Sequence, residues 1–139
     1  MSVEMDVVYQ GALRCLATHG PSKATLKTDA PTDNGGKGEE FSPTDLVGAA
    51  LGTCILTIMG LVAQRSGLDI SGARVSVTKE MAAAPVRRIG KLKAVVAMPA
   101  GKPFPEADRQ KLERGADTCP VKQSLHPDVK LEISFVWPA

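Results

Sequence analysis

Apolar and polar side chains alternate through the first stretch of the chain. Val3, Met5, Val7 and Tyr9 fall on one side and Glu4 and Asp6 on the other, the period of a half-buried strand. Gln10-Gly11 marks a turn, after which Leu13, Cys15 and Ala17 alternate with Arg14, Leu16 and Thr18. Residues 24–28 supply a third strand, so the N-terminal region reads as an antiparallel meander. Residues 29–40 (DAPTDNGGKGEE) then mix Pro, Asn, Gly and charge without periodicity, which predicts a mobile surface loop.

The next pattern is helical. Ser42 stands as N-cap, Pro43 takes the first helical position where a missing N–H costs nothing, and Asp45 is placed to close a capping box. Residues 46–63 (LVGAALGTCILTIMGLVA) carry no charge, and Gly67 is suited to the left-handed residue that ends a helix, so one long helix to about residue 66 is expected. At 1.5 Å per residue the uncharged run covers roughly 27 Å, enough for a bilayer core. Its glycines (48, 52 and 60), the absence of a basic flank before it and the absence of an aromatic belt favour a core helix, and no membrane partner is expected. A helix apolar on all sides needs cover on all sides. Gly48-x-x-x-Gly52 offers a flat strip for another helix, and a homodimer is the economical way to bury two such helices.

Beyond it, residues 72–79 and 89–98 alternate as two strands of a hairpin turned near Ala84-Pro85. A helix follows from Pro105, with Glu106 and Asp108 in its first turn, and residues 129–137 close the chain as a strand with Leu131, Ile133, Phe135 and Trp137 on one face. The class is α+β.

Composition narrows the function. A chain of 139 residues with 43 % apolar content predicts a single domain, 1–139, and a net charge of +2, with no basic cluster, argues against a nucleic-acid partner. Three cysteines, an odd number, and a first stretch without the build of a signal peptide point to a reducing cytoplasm. Gly35-Gly36-Lys37-Gly38 lacks the spacing of a phosphate loop. His19 and His126 with three scattered cysteines make no zinc pattern, and no Gly-x-Ser-x-Gly elbow is present. No metal or cofactor is expected.

The thiols carry the remaining chemistry. On a helix Cys54 shares a stripe with Val47, Ala50, Leu51, Ile58 and Leu61, which predicts a buried packing cysteine unless a polar partner reaches it. Cys119 precedes Pro120 at the start of a short helical pattern, where free N–H groups favour a thiolate. Cys15 reads as packing.

Phe41-Ser42-Pro43-Thr44-Asp45-Leu46, then Ala49-Ala50-Leu51-Gly52-Thr53-Cys54, then Cys119-Pro120-Val121 resemble the OsmC/Ohr proteins, with the intervening elements in that family's order. The resemblance implies an intertwined homodimer with antiparallel sheets around a long buried central helix. It implies a cysteine-based organic hydroperoxide reductase in which Cys54 attacks the peroxide, Cys119 resolves and a dithiol restores both. It thus moves the nucleophile from Cys119, favoured by local pattern, to Cys54. It further implies an N-terminal arginine that stabilises the thiolate, for which Arg14 is the candidate, and a glutamate directly after the helix-start proline. Here that position is Thr44, so Asp45, or Glu39 or Glu40 from the loop, is the expected substitute. The competing expectation is a non-catalytic module that binds an apolar small molecule at the dimer interface. A thiol-disulfide exchange protein with a protein partner is a third, against which the missing Cys-x-x-Cys counts.

Overall fold

A computed structural model describes residues 1–138, in which the chain forms two compact units, Met1–Val47 and Gly48–Ala139. The first unit is the meander: β1 (Met5–Gly11), β2 (Arg14–His19) and β3 (Thr25–Asp29), paired antiparallel in sequence order. The β1–β2 turn places Ala12 and Leu13 at φ 55° and 64°, the left-handed pair that a two-residue hairpin turn needs to match strand twist. The Tyr9 hydroxyl accepts the Leu13 N–H at 3.2 Å. Side chains with a Cβ pay for that conformation, so replacing Ala12-Leu13 by Asn-Gly should stabilise the fold by about 1 kcal/mol. The check is the urea midpoint, which should rise.

Met5, Val7 and Tyr9 share a face with Ala17 and Leu26 through the strand register. Alternation predicted this side to be half-buried. Instead Met5, Val7 and Tyr9 are 64 %, 63 % and 63 % exposed. The pattern of the strand is right, and the layer meant to cover it is not supplied to these residues within one chain.

The segment read as a loose loop is tied back at its base. A 3-10 turn spans Thr32–Asn34, Asp29 N–H donates to the Phe41 carbonyl, and Thr28 bridges to Phe41. Gly36 lies so close to the Ala30 carbonyl that a Cβ there would overlap it. The helix start follows the sequence: Ser42 N–H donates to Asp45 Oδ2 (2.9 Å) and Asp45 N–H to Ser42 Oγ (3.1 Å), a reciprocal capping box.

Helix α1 (Pro43–Arg65) runs from the first unit into the second. Gly67 at φ 68° and the Leu68 N–H bond to the Ala63 carbonyl (2.8 Å) end it in a Schellman motif. Then come β4 (Arg74–Ala82), β5 (Arg88–Ala97), α2 (Glu106–Asp117), α3 (Pro120–Ser124) and β6 (Lys130–Val136). The hairpin β4–β5 is antiparallel as expected, but β6 pairs with β5 in parallel. The α+β class with its two small sheets is as expected, and the second sheet is mixed rather than purely antiparallel. Residues 98–129, with two helices, form a crossover long enough to return the chain in the same direction.

The core of the second unit sits between α1 and this mixed sheet. Leu92, Ala94 and Val96 on β5 are buried with Leu51, Ile55, Met59 and Ala63 of α1. Gly48 and Gly52 do provide a flat strip, but what they admit is β4 rather than a helix. A Cβ at Gly52 would stand 3.0 Å from methyls of both Val75 and Val77. Helix α2 packs on α1 through Gly115, against Val62 and Ile58. At the chain's end Trp137 lies 5.5 Å from Phe104 and under the Arg109 guanidinium, whose Nε donates to the Phe104 carbonyl.

Candidate active site

Cys54 lies on α1, two positions past the closely packed Gly52, and the buried stripe of the helix is Gly48, Leu51, Gly52, Ile55, Met59 and Ala63. Cys54 is off that stripe and half-buried, which corrects the sequence expectation of a fully enclosed packing cysteine. A uniformly apolar helix carries no signal for which side faces the sheet. Leu61, from the expected stripe, is exposed.

Cys119 is the buried thiol, with no exposed surface. Helix α2 ends at Asp117, the Cys119 N–H donates to the Ala116 carbonyl, and Cys119 caps α3 directly before Pro120. This bend brings the Cys119 thiol close enough to Cys54 for the two to interact. Two thiols remote in sequence thus meet within the second unit. All three cysteines are free, and Cys15, on β2 opposite Tyr9 and Thr28, belongs to the first unit's sheet.

The helix-start position of Cys119 does act as local pattern suggests, because the N–H groups of Lys122 and Val121 favour its thiolate. They lose. Burial pushes the Cys119 thiol up, the nearby Cys54 pushes the same way, and the net shift is upward. Cys119 therefore holds its proton at neutral pH. Its expected thiolate character is corrected by the loss of water around it, a quantity no local pattern contains.

The sign of the pH effect follows. The folded state prefers protonated Cys119 more than the unfolded chain does, so its contribution to stability is complete below the ordinary thiol range and is lost as pH rises through that range toward the raised folded value. Urea unfolding followed from about pH 7 to 10 should show a decline that is shallower in Cys119→Ala, whatever the variant's absolute stability.

Arg14, on β2, is half-buried in the first unit. Its Nη2 reaches Asp29 Oδ2 at 3.3 Å and Glu39 Oε1 at 3.2 Å. Of the carboxylates expected near it, Glu39 is there. Asp45 places Oδ2 on the Ser42 N–H, and Thr44 Oγ1 lies 3.3 Å from Ser42 Oγ. Asp29 was not anticipated. It is 1 % exposed and sits opposite Arg14 in the β2–β3 register, a pairing legible only after the meander is aligned strand to strand. Burial pushes the Asp29 carboxyl up. The Glu39 N–H, the Arg14 guanidinium and the N–H groups of Lys37 and Ala30 outweigh that and hold it below the usual carboxylate value. Its Oδ1 is buried without a hydrogen bond of full geometry. Among the described residues, no group of three or more His, Cys, Asp or Glu side chains is placed to hold a metal ion.

Residues 36–134 match the sequence model of the OsmC-like protein family. The chain belongs to that family. Among solved structures, this OsmC-like chain is 40 % identical to a protein of Psychrobacter arcticus 273-4, provisionally named as an osmotic stress induced and detoxification response protein. The match covers 95 % of this chain and 94 % of that one, with a TM-score of 0.88. A Legionella pneumophila organic hydroperoxide resistance protein OsmC shares the fold at 13 % identity, covering 97 % and 96 % of the two chains with a TM-score of 0.76. So does a Vibrio cholerae protein, provisionally named for organic hydroperoxide resistance, with captopril bound in one of its active sites. It is 14 % identical over 97 % and 91 % of the two chains, with a TM-score of 0.74. No curated protein matches the chain in sequence. Helix α1 is long and apolar enough to cross a membrane by composition, and in this OsmC-like fold its buried stripe is the seat of the second sheet.

Proposed function

We infer that the protein is a cytoplasmic thiol peroxidase that reduces organic hydroperoxides through Cys54 and Cys119. The observation that carries this reading is the proximity of a half-buried Cys54 to a fully buried, proton-retaining Cys119. Of the two, Cys54 is the one a substrate can approach.

In the reaction, the Cys54 thiolate attacks the distal peroxide oxygen. The S–O bond forms, the O–O bond breaks, and the alkoxide takes a proton and leaves as alcohol. Cys119 then attacks the sulfenic sulfur. The S–S bond forms, and the hydroxyl departs as water with the Cys119 proton. Cys119 stands close to Cys54, and the N–H groups of Lys122 and Val121 favour the thiolate that resolution requires. A dithiol reductant regenerates both thiols by two exchanges. Family resemblance implies a part for Arg14 as well, which the structure shows paired with Asp29 and Glu39. Asp45 contributes by capping the start of α1, the helix that carries Cys54.

A homodimer is part of the reading. The uncovered apolar face of the first unit's sheet and exposed Leu61 on α1 are surfaces that water disfavours and a second copy would cover. Sedimentation equilibrium at micromolar concentration should give twice the chain mass.

The test treats reduced protein with one equivalent of cumene hydroperoxide, blocks free thiols and maps disulfides by mass spectrometry. A rapid Cys54–Cys119 bond is expected. Thiols left unreacted would refute the peroxidase and favour the apolar-ligand module.

A further inference from the structure

Gly115 lies in the last turn of α2, where glycine costs a helix about 0.8–1.0 kcal/mol relative to alanine. Its backbone is right-handed helical, so the freedom that glycine has at positive φ does not account for it. The reason is space. A Cβ at Gly115 would stand 2.8 Å from Val62 Cγ2, closer than carbon atoms pack, and 3.8 Å from Ile58 Cγ2. Val62 is β-branched and has one favoured rotamer in a helix, so its methyl does not readily turn aside. A side chain at Gly115 would push the end of α2 away from α1.

Cys54 stands one helical turn before Ile58 on α1, and Cys119 stands four residues after Gly115. The stretch from Gly115 to Cys119 is tightly bonded. The Gly115 carbonyl accepts both the Thr118 N–H (3.0 Å) and the Thr118 hydroxyl (2.7 Å), and the Ala116 carbonyl accepts the Cys119 N–H (3.2 Å). Beyond the thiol, Lys122 Nζ donates to Asp117 Oδ1 (2.8 Å) and Gln123 Nε2 to the Asp117 carbonyl (3.2 Å). Helix α3 has five residues, too few to hold a place of its own, so these bonds tie it to the end of α2. A displacement at Gly115 therefore reaches Cys119. All of these residues, and Cys54, belong to the second unit.

We propose that Gly115 is a positioning residue for Cys119: its missing side chain sets how closely the α2–α3 bend approaches α1, and Thr118 passes that position to the thiol that must bond Cys54. The assignment deepens the two-cysteine reading and rests on its Cys54–Cys119 couple, though not on a peroxide as the oxidant.

The test equilibrates the full-length protein with mixtures of reduced and oxidised glutathione and quantifies the Cys54–Cys119 disulfide by mass spectrometry after an acid quench. In this exchange the two protein thiols become one disulfide, and one glutathione disulfide takes their two electrons and two protons to become two thiols. A disulfide tolerates Cβ separations of only about 3.5–4.5 Å, so a shift of less than an ångström is felt. In Gly115→Ala the equilibrium constant should fall about tenfold, a rise of about 30 mV in reduction potential. Adding Val62→Ala removes the methyl that the new Cβ meets and should return the constant to the wild-type value. A role for Gly115 in stability alone predicts neither change, because the constant compares two redox forms of the same folded variant. Thr118→Val keeps the shape and loses the hydroxyl, and should lower the constant about threefold.

A wild-type constant in folded Gly115→Ala, or no recovery in the double variant, overturns the proposal. A wild-type protein that forms no Cys54–Cys119 bond in any glutathione mixture overturns it too. If Gly115→Ala does not fold, Thr118→Val decides, and a wild-type constant there is fatal to the assignment. Cumene hydroperoxide consumption is scored separately. A wild type that consumes none but shows these shifts refutes the peroxidase and leaves the role of Gly115 standing.

Discussion

Cys54→Ser should abolish hydroperoxide turnover, with a loss on the order of a thousandfold or more, the scale on which removal of an enzyme's nucleophile acts. A serine hydroxyl at that position keeps the volume and the polarity but ionises far too high to attack a peroxide oxygen. Cys119→Ser should behave differently. It leaves Cys54 half-buried and able to take one oxygen, so a first equivalent of cumene hydroperoxide is still consumed and a dimedone adduct accumulates on Cys54. What disappears is the intramolecular disulfide, because no second sulfur remains to displace water from the sulfenic acid. The two variants therefore separate attack from resolution. Equal peroxide consumption by the wild type and both variants would refute the division of roles, and a disulfide that formed without Cys54 would refute the nucleophile.

The second large effect is expected at two glycines one helical turn apart, with opposite signs. Gly52→Leu should cost at least about 3 kcal/mol, because even a Cβ there meets Val75 and Val77 at 3.0 Å and a whole isobutyl group would lever β4 off the helix. Against a total stability of about 5–15 kcal/mol, that is enough to leave the variant largely unfolded under mild denaturant. Gly48→Ala should do the reverse. A Cβ at Gly48 falls 3.6 Å from Val77 and 3.7 Å from Leu92, ordinary contact distances, so the helix gains the propensity of alanine, about 0.8–1.0 kcal/mol, without displacing its neighbours. Urea unfolding of the two variants beside the wild type is sufficient. A Gly52→Leu protein of undiminished stability would mean that the sheet does not press on α1 where these contacts put it.

Both effects depend on α1, and α1 shows where legibility in the sequence stops. Its two ends were readable because caps are local chemistry: Ser42 and Asp45 exchange hydrogen bonds within one turn, and Gly67 takes the left-handed conformation that a side chain resists. Its orientation was not readable. Leucine, isoleucine, alanine and methionine occur all round it, so nothing in the pattern distinguished the buried stripe through Ile55 and Met59 from the stripe through Val47 and Ile58. The flat strip at Gly48 and Gly52 was seen, but glycine reports only that something comes close. That the neighbour is strand β4 is a property of the fold. Strand β6 has the same limit, since alternating residues look alike in either direction and the parallel pairing with β5 is set by the crossover.

Residue types and their order along the chain determined the family. They also determined the meander, the long helix with its caps and the absence of a charged residue at Thr44. The three-dimensional arrangement alone decided that Cys119 keeps its proton, because burial depends on what surrounds α2 and α3 rather than on the proline beside it. It alone decided that Cys54 lies beside Cys119, and that Arg14 is held by a buried aspartate at the far end of β3 and by Glu39 from the following loop. Local sequence specifies which bonds a turn of backbone can close on itself. Desolvation and strand register are sums over residues distant in the chain, and they exist only once the elements have packed.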